Sequence, residues 1–350
     1  MLNDDLLILK GHEVLSLLQG RELEVIQTVR MAYEAHAGGD TSLPHSTFLR
    51  FPNDERNRII ALPAYLGDEF DVAGIKWISS FPGNVKHGLD RASAVVILNS
   101  ALTGRPEAII EGSIISAKRT AASAALAAQV LQSGKQTDHI AFLGCGLINF
   151  EIARFLLAVF PEVAKFSIYD LDEKRANHFG AKCRKVFGDI EINVVDSVEK
   201  LLGSATLISM ATTASKPHIF DISACAPDST ILHISLRDLS PEVMLSCDNV
   251  VDDVDHVCRA QTSIHLAEEL VGHRDFVRCS LAEILSEMYP ARSHAGTVKV
   301  FSPFGLGILD LALARMVHGL GIELSRGSVI NSFLPVSWTE EEAAQPILTT

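Results

Sequence analysis

The stretch His139-Ile-Ala-Phe-Leu-Gly-Cys-Gly-Leu-Ile-Asn-Phe-Glu151 decides the fold. Ile140 to Leu143 read as a short buried strand. Gly144 and Gly146 follow at once, and from Leu147 apolar residues recur at helical spacing until Pro161. Strand, glycine turn and helix is the context in which G-x-G marks dinucleotide binding. Gly144 permits the tight turn, Gly146 lets the backbone approach a pyrophosphate, and the phosphates meet free N–H groups at the helix N-terminus. Cys145, Leu147 and Ile148 complete that turn, and Asn149 stands where the fingerprint has its third glycine. The next strand reading ends in Asp170, close to the roughly 20-residue spacing of a carboxylate on the ribose hydroxyls. An acid there favours NAD, because it repels the 2′-phosphate of NADP. The competing interpretation is an ordinary glycine turn, which the second signal disfavours.

Outward from this stretch the pattern changes on either side. Downstream, strands are predicted at 140–144, 166–170, 191–195, 205–211, 230–235, 249–252 and 298–302. Helices are predicted at 147–160, 172–186, 197–202, 240–246, 263–271, 280–287 and 306–319. That alternation implies an α/β fold with a Rossmann-type, doubly wound parallel sheet. Upstream, residues 1–40 look helical. Extended segments follow at 47–51, 58–66, 72–80, 94–98 and 107–111, separated by turn residues and without helices between them, which suggests an antiparallel or mixed sheet. An alanine-rich helix at 113–131 connects the two patterns, and the polar tail from Ser337 is expected to be loosely held.

Composition narrows the function. A net charge of −13 argues against nucleic acid or an anionic membrane as partner. No apolar run approaches the roughly 20 residues of a membrane span, and the N-terminus is acidic where a secretory signal is basic. A cytoplasmic protein is the expectation. Six scattered cysteines form no C-x-x-C pair, so neither disulfides nor a metal site is expected. Thirteen histidines include no pair at ligand spacing on one helix face, and His45, His233 and His265 are assigned to structure.

Four stretches carry candidate chemistry. In Gly74-Ile-Lys-Trp-Ile78 the lysine, Lys76, interrupts an apolar strand; it either points outward from an edge or meets a ligand. Lys118-Arg119-Thr120 places two cations near a helix start, against the dipole; they are solvated surface charges, or they greet an anion. Arg119 could clamp a carboxylate and Thr120 a phosphate. Ser235-Leu-Arg-Asp238 follows a strand, where ligands of open α/β sheets bind. Asp238 is there a general acid/base or the cap of the helix near Ser240. Phe304-Gly305 lies in a further strand–turn–helix junction that could close over a nicotinamide.

In order and spacing, Lys76, the run Ser116-Ala-Lys-Arg-Thr-Ala-Ala122, Gly144-Cys-Gly146, Asp170, Asp238 and Phe301-Ser-Pro-Phe-Gly305 resemble the ornithine cyclodeaminase/μ-crystallin family over nearly the whole chain. The resemblance implies a Rossmann domain, 131–306, inserted in a second α+β domain, 1–130 plus 307–350, that binds substrate and forms a homodimer. It implies that Lys76 and Arg119 hold the substrate carboxylate and that Asp238 is the catalytic aspartate. Arg119, Thr120, Gly144 to Asn149, Asp170, Ala211, Thr212, Ser235, Phe304 and Gly305 then surround NAD. Ser46 before Thr47, and Asp238-Leu-Ser-Pro-Glu242, depart from the ornithine cyclodeaminase pattern. Leu43-Pro-His-Ser-Thr-Phe-Leu-Arg-Phe-Pro52, Ile78-Ser-Ser-Phe-Pro-Gly-Asn84 and Ser235-Leu-Arg-Asp238 instead resemble the 2,3-diaminopropionate branch. That branch oxidises N-(1-amino-1-carboxy-2-ethyl)glutamate with NAD to 2-oxoglutarate and L-2,3-diaminopropionate for siderophores or antibiotics. Its three carboxylates call for further cations, Arg237 or Arg50. Ornithine cyclodeaminase, alanine dehydrogenase and ketimine reductase are the alternatives among enzymes; a crystallin-like nucleotide-binding protein is the alternative without catalysis.

Overall fold

A computed structural model describes residues 5–132, 134, 136–291 and 295–335; the predicted loose tail lies outside them. Two eight-stranded sheets form the frame. The first contains β1 (Leu6–Leu9), β2 (Thr41–Ser42), β3 (Thr47–Phe51), β4 (Asp54–Leu66), β5 (Val72–Ser80), β6 (Ala92–Ser100) and β7 (Pro106–Glu111). The second contains β8 (His139–Leu143), β9 (Lys165–Tyr169), β10 (Glu191–Val194), β11 (Leu207–Met210), β12 (Thr230–His233), β13 (Asp248–Val251), β14 (Val277–Ser280) and β15 (Lys299–Ser302). The last strand, β16 (Ser328–Ile330), returns to the first sheet and pairs with β1.

Every pairing in the second sheet is parallel, in the order β10-β9-β8-β11-β12-β15-β13-β14. The order runs in opposite directions from β8 and β11. The Gly144–Gly146 turn therefore opens at the topological switch point, where ligands of doubly wound sheets bind. The first sheet is mixed: β1 and β7 are parallel and the other pairs antiparallel.

Period-two burial explains the first sheet. On β4, β5 and β6 the even-numbered Leu62, Ala64, Leu66, Val72, Lys76, Val96 and Leu98 are buried, while the odd-numbered neighbours stay partly open. The alanine-rich helix Ser113–Leu131 joins the sheets. Its small residues let it lie close to both Glu22–Ala37 and the nucleotide-turn helix Leu147–Val159, so one apolar core runs continuously through both halves. The helix Gly307–Glu323 then returns the chain to the first sheet, packing on β4, β5 and β6.

Four strands differ from the sequence expectation, one of them the two-residue β2, too short to carry a pattern. β1 lies within the stretch read as wholly helical; its run, Leu6-Leu-Ile-Leu9, is too short for periodicity to separate strand from helix. β14 and β16 are four and three residues long and carry equally little pattern. Among the described residues no helix is long and apolar enough to cross a membrane.

Candidate active site

The nucleotide turn is built from three side chains. Gly144 has φ +89°, and a Cβ there would stand 2.6 Å from the Ala211 carbonyl oxygen, so only glycine fits. A Cβ on Gly146 would meet nothing within 4 Å, which leaves the open approach a pyrophosphate requires. Asn149, fully buried, does what the third glycine of the fingerprint does not. Its Nδ2 donates to the carbonyls of Leu143 (2.8 Å) and Gly144 (2.7 Å), and its Oδ1 accepts from Ser209 Oγ at 2.7 Å. Strand end, turn and neighbouring strand are thereby stapled together. Asp170 completes the turn, accepting from Cys145 N (2.8 Å) and Asp172 N (3.0 Å). Burial, then the charge of Asp170, pushes the Cys145 thiol up to about 12, so it is no nucleophile. These residues fit a dinucleotide.

Lys76 is on an interior strand, between β4 and β6, and only 2% exposed, so the edge-strand interpretation does not hold. Its Nζ stands 2.6 Å from Asp310 Oδ2, a close ion pair without good hydrogen-bond alignment, and donates to Ser116 Oγ at 3.2 Å. Burial lowers the Lys76 pKa to about 8; the Asp310 carboxylate resists that shift and the Arg119 charge adds to it. Arg119 Nε donates to the other oxygen of Asp310 at 3.0 Å. Two cations thus share one fully buried carboxylate, and the three-residue cluster carries one uncompensated positive charge. Lys118 plays a different part: it is buried against Glu151 (3.4 Å) and over the Phe155 ring, tying two helices together. Neither cation is a solvated surface charge.

Arg119 also reaches the nucleotide half. A Cβ on Gly305 would stand 2.8 Å from Arg119 Nη1 and 3.0 Å from Nη2, so the end of the guanidinium abuts the Phe304-Gly305 turn. The buried Asp252 fixes that turn by accepting from Phe304 N (2.8 Å) and Gly305 N (2.6 Å). Burial raises the Asp252 pKa, opposed by those N–H donors. The cationic cluster and the crevice beyond the parallel strands therefore adjoin.

Asp238 is on the same crevice edge, past β12, and fully buried. The hydroxyls of Thr212 and Ser235 donate to it, and His218 Nε2 lies 3.0 Å from Oδ1. The His233 ring lies between the Asp238 N–H (3.1 Å) and its carboxylate (3.3 Å), one tautomer serving each. Burial works to raise its pKa, but the His233 ring and the two hydroxyls outweigh it and hold the carboxyl well below the usual range. It is not the helix cap either: Ser240 Oγ accepts from Val243 N in that role. Thr120 Oγ1 donates to the Ser116 carbonyl within its own helix. Arg237 donates to the Ala260 carbonyl at 2.6 Å, and Arg50 lies 5.6 Å from the Phe48 ring centroid.

Sequence reasoning missed Asp310, Asp252 and His218. Asp310 had a signal: it is the one acid in Leu309-Asp-Leu-Ala-Leu-Ala314, and an acid on an apolar helix face needs a buried cation.

The profile of the ornithine cyclodeaminase/mu-crystallin family matches residues 6–321, nearly the whole of both sheets. The chain belongs to that family. A family relative, the N-((2S)-2-amino-2-carboxyethyl)-L-glutamate dehydrogenase of Staphylococcus aureus, is 27% identical over 316 residues, covering 88% of this chain and 93% of that protein. The Δ1-pyrroline-2-carboxylate reductase of Thermococcus litoralis, solved with NADH and L-proline, superposes with a TM-score of 0.85 at 26% identity, over 92% of this chain and 99% of the other. An archaeal alanine dehydrogenase dimer, solved with bound NAD, gives a TM-score of 0.84 at 28% identity, over 94% and 100%.

Proposed function

We infer that the Lys76–Asp310–Arg119 cluster receives a substrate carboxylate beside a dinucleotide crevice, and that the chain oxidises the C–N bond of an amino acid. The chain is an NAD-dependent oxidoreductase of the amino-acid dehydrogenase type. The observation that carries the reading is the unbalanced charge of the cluster: it is one carboxylate short of neutrality, and its arginine abuts the Gly305 turn.

The substrate we propose is N-(1-amino-1-carboxy-2-ethyl)-L-glutamate, a secondary amine with three carboxylates. Loss of hydride from the glutamyl Cα leaves a C=N bond, and water adds to that carbon to release 2-oxoglutarate and L-2,3-diaminopropionate, a siderophore or antibiotic precursor. Similarity to the S. aureus protein supports this choice. Bound NAD supplies the hydride acceptor. Arg119 and the Lys76 ammonium hold the α-carboxylate, and orientation accounts for most of the rate. Lys76, lowered to about 8, is better matched than Asp238 to move a proton near neutral pH: its neutral form takes the proton of the amine, and the ammonium so formed pairs with the carboxylate. Asp238 stays ionised and orients His218 toward water at the imine carbon.

Gly144, Cys145, Gly146, Leu147, Ile148 and Thr120 hold the pyrophosphate in this reading, and Asp170 the adenosine ribose. Ala211, Thr212, Ser235, Phe304 and Gly305 line the nicotinamide end. Residues 1–130 with 307–350 form the substrate domain and 131–306 the nucleotide domain. A homodimer fits the first sheet, whose outward residues Ile59, Ile75, Trp77, Val95 and Ile97 are apolar and only partly covered.

The test offers the adduct, L-alanine, L-proline and L-ornithine separately with NAD. NADH with stoichiometric 2-oxoglutarate from the adduct supports the reading. Faster NADH formation from alanine or proline, or ammonia from ornithine without net NADH, replaces it.

A further inference from the structure

A second group of cations lies on the sheet face that carries Lys76. Arg58 is opposite Arg50 in the β3–β4 register and opposite Ser80 in the β4–β5 register, while Lys76 is opposite Leu62. Directly opposed residues share a face, as do residues two or four apart on one strand. Arg50, Arg58, Ser80 and Lys76 therefore line the inner face, with four residues of strand, about 13 Å, between the two rows. Leu62 and Lys76 are buried, but Ile60 and Ile78 between the rows are partly open.

Among the described residues Arg50, Arg58 and Arg91 have no acidic partner, and the buried Arg58 Nε has no hydrogen-bond partner at all. Arg237 approaches from the other sheet, on the loop past β12 that also carries Asp238. Burial lowers the Arg58 pKa, and the positive charges of Arg237, Arg91 and Arg50 lower it further. Asp238 is the acid near this group, and it acts on Arg237; Arg58 with Arg50 and Arg91 gathers positive charge without a carboxylate of its own, which is unfavourable, and an anion relieves it.

We propose that Arg50, Arg58, Arg91 and Arg237 form a distal anion subsite that takes the non-reacting carboxylates of an extended polycarboxylate, while Lys76 and Arg119 hold its reacting end. This rests on the placement of the reacting carboxylate above. It adds a specificity element: a substrate with a single carboxylate leaves the distal arginines unsatisfied.

The probes are 2-oxoglutarate and pyruvate, two keto acids that share the reacting end and differ in the distal carboxylate. Their affinities for the NADH-loaded protein are measured by calorimetry. The native protein is expected to favour 2-oxoglutarate by about tenfold or more, and Arg58→Gln to reduce that ratio by about tenfold, the effect of one charge-assisted hydrogen bond. Arg58→Lys serves where Arg58→Gln does not fold, and the ratio must again fall because the planar fork is lost. An equal preference for the two acids in the native protein, or an identical ratio in the variants, overturns the subsite. Because the readout is binding, the two claims separate. A ratio that falls while the adduct is not oxidised removes the substrate assignment alone, and an unmoved ratio with an oxidised adduct removes the subsite alone.

Discussion

Arg119 Nε donates to Asp310 Oδ1 at 3.0 Å across 191 residues of chain. The bond joins the connecting helix to the helix that brings the chain back from the nucleotide half. With Lys76 on the second oxygen, Asp310 is the only carboxylate in direct contact with either cation among the described residues. Asp310→Asn keeps the shape and leaves two buried cations uncompensated. It should cost about 3–5 kcal/mol, read as a lower urea midpoint at unchanged slope. A loss below about 1 kcal/mol would show that the cluster is solvated.

Lys76 sets a pH limit. Burial lowers its pKa to about 8 in the absence of substrate. Below that pH the ammonium is present and pairs with a carboxylate; above it the charge is lost. Affinity of the NADH-loaded protein for 2-oxoglutarate, which has no titrating amine, should therefore fall as pH rises through about 8, approaching tenfold per pH unit. In Lys76→Met the limb near 8 should vanish. A native profile flat to pH 10 would remove the lysine from carboxylate binding.

Asn149→Gly restores the third glycine of the fingerprint and should nevertheless weaken the protein. It removes the staple on Leu143, Gly144 and Ser209, at about 1–3 kcal/mol for each buried group left unpaired. Both denaturation and NADH fluorescence titration should register the loss. Tighter NADH binding in the variant would mean that the turn is held by backbone alone.

Asp238→Asn should retain NAD affinity and lose turnover, by roughly 10²–10⁴-fold if the ionised carboxylate orients the proton-handling group. The carboxyl is held well below its normal range, so the acid limb of the native rate profile should not report it. His218→Ala should reproduce part of the same loss. Near-native turnover in Asp238→Asn would leave the residue a purely structural anchor of its loop.

The fold was legible where patterns are long. The G-x-G turn, the alternation after it and the alanine-rich helix all carry their own periodicity, and they gave the parallel sheet and the connection between halves. Four-residue strands such as β1 and β14 carry too few positions to show one. In the site, Lys76 stood out because a charge breaks an apolar strand, and Arg119 because a cation near a helix start opposes the dipole. Their shared partner was harder to see, because nothing local to Asp310 says which distant strand it will face. The structure also altered the meaning of Asp238: sequence placed it past a strand end, but only the assembled loop shows His233, Ser235 and Thr212 holding it ionised. Arg58 carried no signal beyond opening the extended segment 58–66; the positive charges of Arg237, Arg91 and Arg50 around it become visible only in the folded chain.

The most direct measurement is kcat/KM for oxidation of the adduct by Arg119→Met, with Arg119→Lys beside it and NADH affinity recorded for both. A drop of about 10²-fold or more in Arg119→Met, with a smaller drop in Arg119→Lys and NADH binding retained, is the result this arrangement predicts. Oxidation within about twofold of the native rate in Arg119→Met would contradict a carboxylate site at the Lys76–Asp310–Arg119 cluster.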